Sequence, residues 1–124
     1  MGSFLGRPAT PTVMDEGIKI MVDSTISKSK VVVFSKTYCP YCKRAKALIT
    51  KFPIKPDQLE IIEIEKRPDC SSIQAYLKEI TGASTVPRIF IDGKCIGGCD
   101  DAIALDNSGE LEKLLSSCGA LQSQ

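Results

Sequence analysis

Apolar positions along this 124-residue chain recur in two rhythms, and the changes between them mark its elements. Ile18, Met21, Val22 and Ile26 return every three or four residues, so a first helix is expected over about residues 15–28, capped by Asp15 or a neighbour. Lys30 to Ser35 is instead a short run rich in β-branched residues, the composition of a buried strand. A helix from about Pro40 to Lys51 follows, with proline tolerated in a first turn that needs no N–H there. Phe52-Pro53-Ile54-Lys55-Pro56 ends it, and Leu59 to Ile64 alternates as a second strand. Ile73, Leu77 and Ile80 define a third helix over Pro68 to Thr81, stopped by Gly82. Arg88 to Ile91, Asp92-Gly93 and Lys94 to Ile96 form a strand, a two-residue turn and a strand. Asp100 to Asn107 and Ser108 to Ser116 close the chain as helices, the last opened by Ser108 and turning Leu111, Leu114 and Leu115 inward.

Connection lengths convert this list into a topology. The first two strands are joined through a helix and must be parallel, whereas the last two are joined by a tight turn and must be antiparallel. An α/β fold follows, with a four-stranded mixed sheet sandwiched by about five helices in a thioredoxin-like arrangement. Residues 1–13, rich in Gly, Pro, Ser and Thr, read as a flexible leader before a single domain over residues 14–124.

Charge adds a local signal and removes two function classes. With 16 basic and 15 acidic residues the formal net charge is +1, so no global field recruits nucleic acid or an anionic membrane. Lys36, Lys43, Arg44 and Lys46 nevertheless cluster around one short segment. No run of eighteen apolar residues is present to span a bilayer. Six cysteines in a chain of this length, without an apolar N-terminal signal, point to thiols kept reduced in the cytoplasm. Met1-Gly2 begins like a myristoylation site, but Gly6 stands where Ser or Thr is expected.

The segment at the centre of that basic cluster is Cys39-Pro40-Tyr41-Cys42, placed between the first strand and the second helix. A helix start leaves N–H groups unpaired and carries partial positive charge, which stabilises a sulfur held there as the thiolate. A second thiol one turn in can swing back onto the first. C-x-x-C also serves zinc, but a structural zinc site takes four Cys or His ligands. This chain has no His, and Cys70, Cys95, Cys99 and Cys118 never repeat the spacing, so no metal site is expected.

Lys36-Thr37-Tyr38-Cys39-Pro40-Tyr41-Cys42, Thr85-Val86-Pro87-Arg88 and Gly97-Gly98-Cys99-Asp100-Asp101, with Ile73-Gln74-Ala75-Tyr76-Leu77 between them, together resemble a dithiol glutaredoxin over about residues 15–122. The resemblance implies glutathione-dependent reduction of protein–glutathione mixed disulfides and of protein disulfides, with no tightly bound cofactor and glutathione as co-substrate. It implies Cys39 as the attacking thiolate and Cys42 as the resolving thiol. Lys36 and Gln74 match positions that bind the glycyl carboxylate of glutathione, and Tyr41 one that lines the groove. Thr85, Val86 and Pro87, with a cis Val86–Pro87 bond, match the segment that pairs with its cysteinyl part. Gly98, Cys99 and Asp100 match the positions that hold its γ-glutamyl end. Elementary chemistry agrees, since a ligand with two carboxylates and one ammonium needs N–H groups or cations at both ends and an acid near the amine, and Lys36, the start of the helix after Gly98, and Asp100 or Asp101 supply that set.

The partners implied are glutathione, glutathionylated and disulfide-containing proteins, and indirectly glutathione reductase, with the protein acting as a monomer. Three other readings share the fold: a scaffold holding an iron–sulfur cluster between subunits, one domain of a larger thioredoxin/glutathione reductase, and an interaction module that merely keeps the fold. Pro40 speaks against the first by the same resemblance, because cluster-binding dithiol relatives often carry a smaller residue there.

Overall fold

A computed structural model describes residues 13–123. The elements run α1 (Val13–Lys28), β1 (Val31–Ser35), α2 (Pro40–Thr50), β2 (Leu59–Glu63), α3 (Cys70–Thr81), β3 (Arg88–Ile91), β4 (Lys94–Gly97), α4 (Cys99–Asn107) and α5 (Glu110–Ser117). The expected leader lies outside the described residues apart from Val13, which already belongs to α1. A 3-10 turn at Pro56–Gln58 leads into β2, where the prolines on either side of Ile54 and Lys55 predict only a helix break.

The strands form one sheet in the order β2-β1-β3-β4. β1 pairs with β2 in parallel, from Val31 opposite Leu59 to Ser35 opposite Glu63, and with β3 antiparallel, Val32 opposite Phe90. β3 and β4 form the expected hairpin. Its turn residues Asp92 and Gly93 both have positive φ, 54° and 81°, as a two-residue primed turn requires.

β1 is buried along its whole length because it is flanked by strands on both edges and covered by helices on both faces. Strand alternation then assigns its side chains to two cores. Val31 and Val33 pack with Ile89, Ile91 and the inner faces of α2, α4 and α5, through Ala45, Ile49, Ala102, Leu111 and Leu115. Val32 and Phe34 pack on the other face with Phe90, Ile18 and Val22 of α1, and Ile73 and Leu77 of α3. The Phe34 and Phe90 rings meet edge to face at 5.9 Å. Each such fully buried side chain contributes roughly 1.5–3 kcal/mol of transfer free energy, which is why β1 is the rigid base from which the next segment departs.

Two expected boundaries shift for identifiable reasons. α5 is opened by Gly109 at φ 81°, not by Ser108, which ends α4; Ser108 still contributes, since its Oγ accepts a hydrogen bond from the Glu110 N–H at 3.3 Å. α3 begins at Cys70 after Asp69, because Pro68 lies in the turn that precedes it. Gly82 ends that helix in the left-handed conformation at φ 90°, with its N–H on the Lys78 carbonyl, as the stop signal requires.

Candidate active site

The four residues between β1 and α2 leave the buried strand and place Cys39 as the residue immediately before the helix. Its backbone is extended, at φ −83° and ψ 121°, and its sulfur accepts the Cys42 N–H at 3.4 Å. Cysteine thus occupies the capping position usually held by Ser or Asp, and the orphan N–H groups of the first turn converge on a sulfur. α2 carries no acidic residue in its first turn. Partial burial opposes ionisation of Cys39, but the N–H groups of Cys42 and Tyr41, the Cys42 thiol and the Lys36 charge outweigh it and hold the thiol below its ordinary value.

Cys42 is fully buried, and that burial pushes its thiol up, with the Cys39 charge adding to the rise. The Lys36 N–H, 3.4 Å from its sulfur, pulls the other way. Two thiols three residues apart are thereby driven in opposite directions, one toward thiolate at neutral pH and one toward thiol. The connecting segment is tied down by Glu65, whose carboxylate accepts from the Thr37 N–H at 3.2 Å and from the Thr37 hydroxyl. Neither Thr37 nor Glu65 carried a signal in the sequence.

Beside the dithiol lies a cleft of about 370 Å³, lined by Tyr41, Thr85 to Arg88 and Gly98 to Asp101. Three segments far apart in the chain, each singled out above, therefore border one space. The Val86–Pro87 bond is cis, as the resemblance implied. Tyr41 is exposed, with the Arg44 guanidinium 5.8 Å from its ring centroid. Cys99 is buried at the start of α4; burial pushes its thiol up, and it feels the charges of Arg44, Asp100 and Cys39.

Lys36 and Gln74 are not part of that lining. Gln74 instead spends its amide on the neighbouring loop, donating to the Ser84 carbonyl at 2.9 Å while its oxygen accepts from the Cys70 thiol at 3.5 Å. It braces the residue before Thr85. Arg88 also lines the cleft, a residue to which the sequence alone assigns no ligand. Arg88 donates from Nε to the carbonyls of Thr85 and Pro87, at 3.0 and 3.3 Å, and folds its guanidinium over the cleft wall. Its place directly after the proline was the available signal. Asp101 accepts the Gly98 N–H at 2.9 Å as the acid that closes the start of α4, which leaves Asp100, exposed beside it, as the carboxylate free to meet an ammonium.

A four-stranded sheet between helices, with a low-lying thiol at a helix start and a second thiol one turn in, defines a thiol–disulfide oxidoreductase of thioredoxin-like fold. The family profile described as Glutaredoxin matches residues 31–96. Human Glutaredoxin-1 is 48% identical over 101 residues, covering 82% of this chain and 95% of the relative. Oxidized glutaredoxin 2 from Chlamydomonas reinhardtii superposes with a TM-score of 0.80 at 42% identity, over 86% of this chain and 98% of that one. A buckwheat glutaredoxin–glutathione complex superposes with a TM-score of 0.82 at 37% identity, over 90% and 100% of the two chains. The chain belongs to the glutaredoxin family, and its activity is that of a glutathione-dependent thiol–disulfide oxidoreductase.

Proposed function

We propose that Cys39 is the nucleophile and Cys42 the resolving thiol, and that the cleft beside them receives glutathione. The observation that carries this reading is the capping geometry of Cys39, a sulfur accepting the first-turn N–H of its own helix next to a cleft whose lining includes peptide backbone, a cation and a free carboxylate. In the mechanism, the Cys39 thiolate attacks the glutathionyl sulfur of a mixed disulfide and releases the protein thiol. A second glutathione attacks the Cys39–glutathione disulfide, regenerating the thiolate and forming oxidised glutathione. A low thiol pKa serves both halves, since it raises the thiolate fraction and makes Cys39 a better leaving group.

In this proposal the backbone of Thr85 and Val86, directly before Pro87, pairs with the cysteinyl part of glutathione. Cys99, at the start of α4, offers its N–H to the γ-glutamyl carboxylate, Gly98 forms the wall beside it with its own N–H held by Asp101, and Asp100 meets the ammonium. Lys36 draws the glycyl carboxylate, Tyr41 covers the groove, and Gln74 acts by holding the Ser84 carbonyl in place. Glutathionylated and disulfide-bearing proteins are the substrates, glutathione reductase recycles the oxidised glutathione, and the protein works as a monomer in the cytoplasm. Six unpaired thiols fit a reducing compartment.

The test is a coupled assay with glutathione and a small glutathionyl mixed disulfide, run beside reduction of a protein disulfide. Cys42→Ser is expected to retain the first activity and lose most of the second, because only the second needs an internal resolving thiol. A Cys42→Ser protein inert in both assays would overturn the assignment of roles.

A further inference from the structure

Ser35, the last residue of β1, is completely buried, and its hydroxyl oxygen has no hydrogen-bond partner among the described residues. A buried hydroxyl without a partner is uncommon, because its lost hydration is not replaced, so its position calls for a physical reason. Alternation along β1 supplies one. Val31 and Val33 face the core shared with α2, so Ser35, two residues on, faces the same side. The next residue, Lys36, already donates its N–H to the Cys42 sulfur at 3.4 Å. Cys42, on the buried side of α2, therefore sits over the end of β1, with one backbone donor on its sulfur and one uncommitted hydroxyl below it.

We propose that Ser35 supports the resolving step: its hydroxyl turns to donate a hydrogen bond to the Cys42 sulfur when that thiol ionises. This rests on the reading of Cys42 as the resolving thiol. A fully buried thiol ionises with difficulty, and its anion is favoured in proportion to the donors that reach it. The Lys36 N–H is fixed by the backbone, whereas a hydroxyl rotates. Ser35 thus has little to bond while Cys42 is protonated and a strong acceptor once it is not. The interaction belongs to the thiolate, and Ser35 accordingly lowers the pKa of Cys42 against the upward push of burial.

The chemistry balances without another reactant. The Cys42 thiolate attacks the Cys39 sulfur of a mixed disulfide with a substrate thiol; the Cys39–substrate S–S bond breaks and the Cys39–Cys42 bond forms. The substrate sulfur leaves with the electron pair and takes up, through solvent, the proton that Cys42 released. Ser35 keeps its own proton throughout. Glu63, opposite Ser35 in the parallel register, is held by Lys46 at 2.6 Å, and its other oxygen makes no hydrogen bond with the Ser35 hydroxyl, which therefore stays available to the sulfur.

The experiment follows Cys42 directly, without turnover. In a Cys39→Ser background, the 13Cβ resonances of Cys42 and Ser35 are recorded through the alkaline titration of Cys42. Charged or titratable groups on the surrounding elements are Lys36 after β1, Glu60 and Glu63 on β2, Tyr41, Lys43, Arg44 and Lys46 on α2, Arg88 on β3, and Cys99, Asp100, Asp101 and Asp106 on α4. All remain present in every variant, so replacing only Ser35 isolates the hydroxyl. Ser35→Ala is expected to raise the Cys42 midpoint by about one pH unit, the tenfold effect of one hydrogen bond to a charged group, and Ser35→Thr to restore it in part. Ser35 in the background protein is expected to titrate with the same midpoint as Cys42. A Ser35 resonance that does not move as Cys42 ionises would overturn the proposal whether or not the variants fold. So would equal shifts in Ala and Thr, which would mark packing as the cause. Failure of Cys42→Ser to separate the two activities would instead overturn the role of Cys42 and leave this titration standing.

Discussion

α2 and α4 both begin beside the cleft with a cysteine, Cys39 just before the first helical residue of one and Cys99 as the first residue of the other. Cys39 accepts a first-turn N–H on its sulfur, and α2 has no acid in its first turn. At α4 the bond runs the other way: Asp101, in the first turn, takes the N–H of the capping residue Gly98, and Asp100 adds a second negative charge. The thiol of Cys39 is held down because N–H groups on its sulfur outweigh its partial burial, whereas burial pushes that of Cys99 up, with the Asp100 charge adding to the rise. A helix dipole is present in both places, and its contribution of about 0.3–1 kcal/mol does not decide the outcome. The deciding features are whether N–H groups reach the sulfur and whether anything offsets its burial. One start makes a nucleophile; the other, already carrying its own acids, makes a wall of the binding cleft.

The strongest way to break this comparison is to remove each sulfur. Cys39→Ser is expected to abolish turnover, while Cys99→Ser should lower it only a few-fold, because a cleft wall needs shape and backbone and not a reactive thiol. Comparable losses in the two variants, measured with the coupled glutathione assay, would end the distinction.

The next largest effect is in pH. Site-resolved alkylation, read by mass spectrometry, should find Cys39 labelled at lower pH than free glutathione and Cys99 only at higher pH. The stability linkage runs in opposite directions. The lowered Cys39 contributes stability that is present above its unfolded value and lost as pH falls through its folded value. The raised Cys99 contributes stability that is present below its unfolded value and lost as pH rises through its folded value. A single shared midpoint for the two thiols would contradict both assignments.

The start of α4 can also be damaged without touching a sulfur. Gly97 has φ 111°, and a Cβ there would overlap the Asp101 carboxylate that closes the helix. Gly97→Ala is expected to destabilise the protein by about 1–3 kcal/mol in urea unfolding and to loosen the Gly98–Asp101 wall. It should leave alkylation of Cys39 near its original midpoint. The smallest effect belongs to Lys36, the weakest of the influences that lower Cys39. Lys36→Gln removes an interaction of the order of 0.2–1 kcal/mol at a partly exposed site, so KM for glutathione should rise by up to about fivefold, and salt should mimic the change. An unchanged KM would take Lys36 out of the site.

Local pattern was enough to place every strand and helix within a few residues, because each is encoded by spacing along a single element: β-branched residues in β1, the three-and-four rhythm of α1 and α3, Asp92-Gly93 between β3 and β4. It was enough as well to pick out Cys39 and Cys42, since a strand, C-x-x-C and a helix are contiguous in the chain. Connection lengths specified which strands run parallel, but the order β2-β1-β3-β4 depends on packing that no single segment contains. The same holds for the division of labour at the site. Gln74 reaches Ser84, Thr37 reaches Glu65, Arg88 folds over Thr85 and Pro87, and Ser35 is left beneath Cys42 without an oxygen or nitrogen partner. Two of these pairings cross ten residues or more, and the position of Ser35 has meaning only once the sheet and α2 are stacked. Reactive residue types and element periods are properties of neighbours in the chain, which the sequence by itself determines. Which hydroxyl is buried without a partner, which acid caps and which stays free are properties of neighbours in space, and only the tertiary structure decides them.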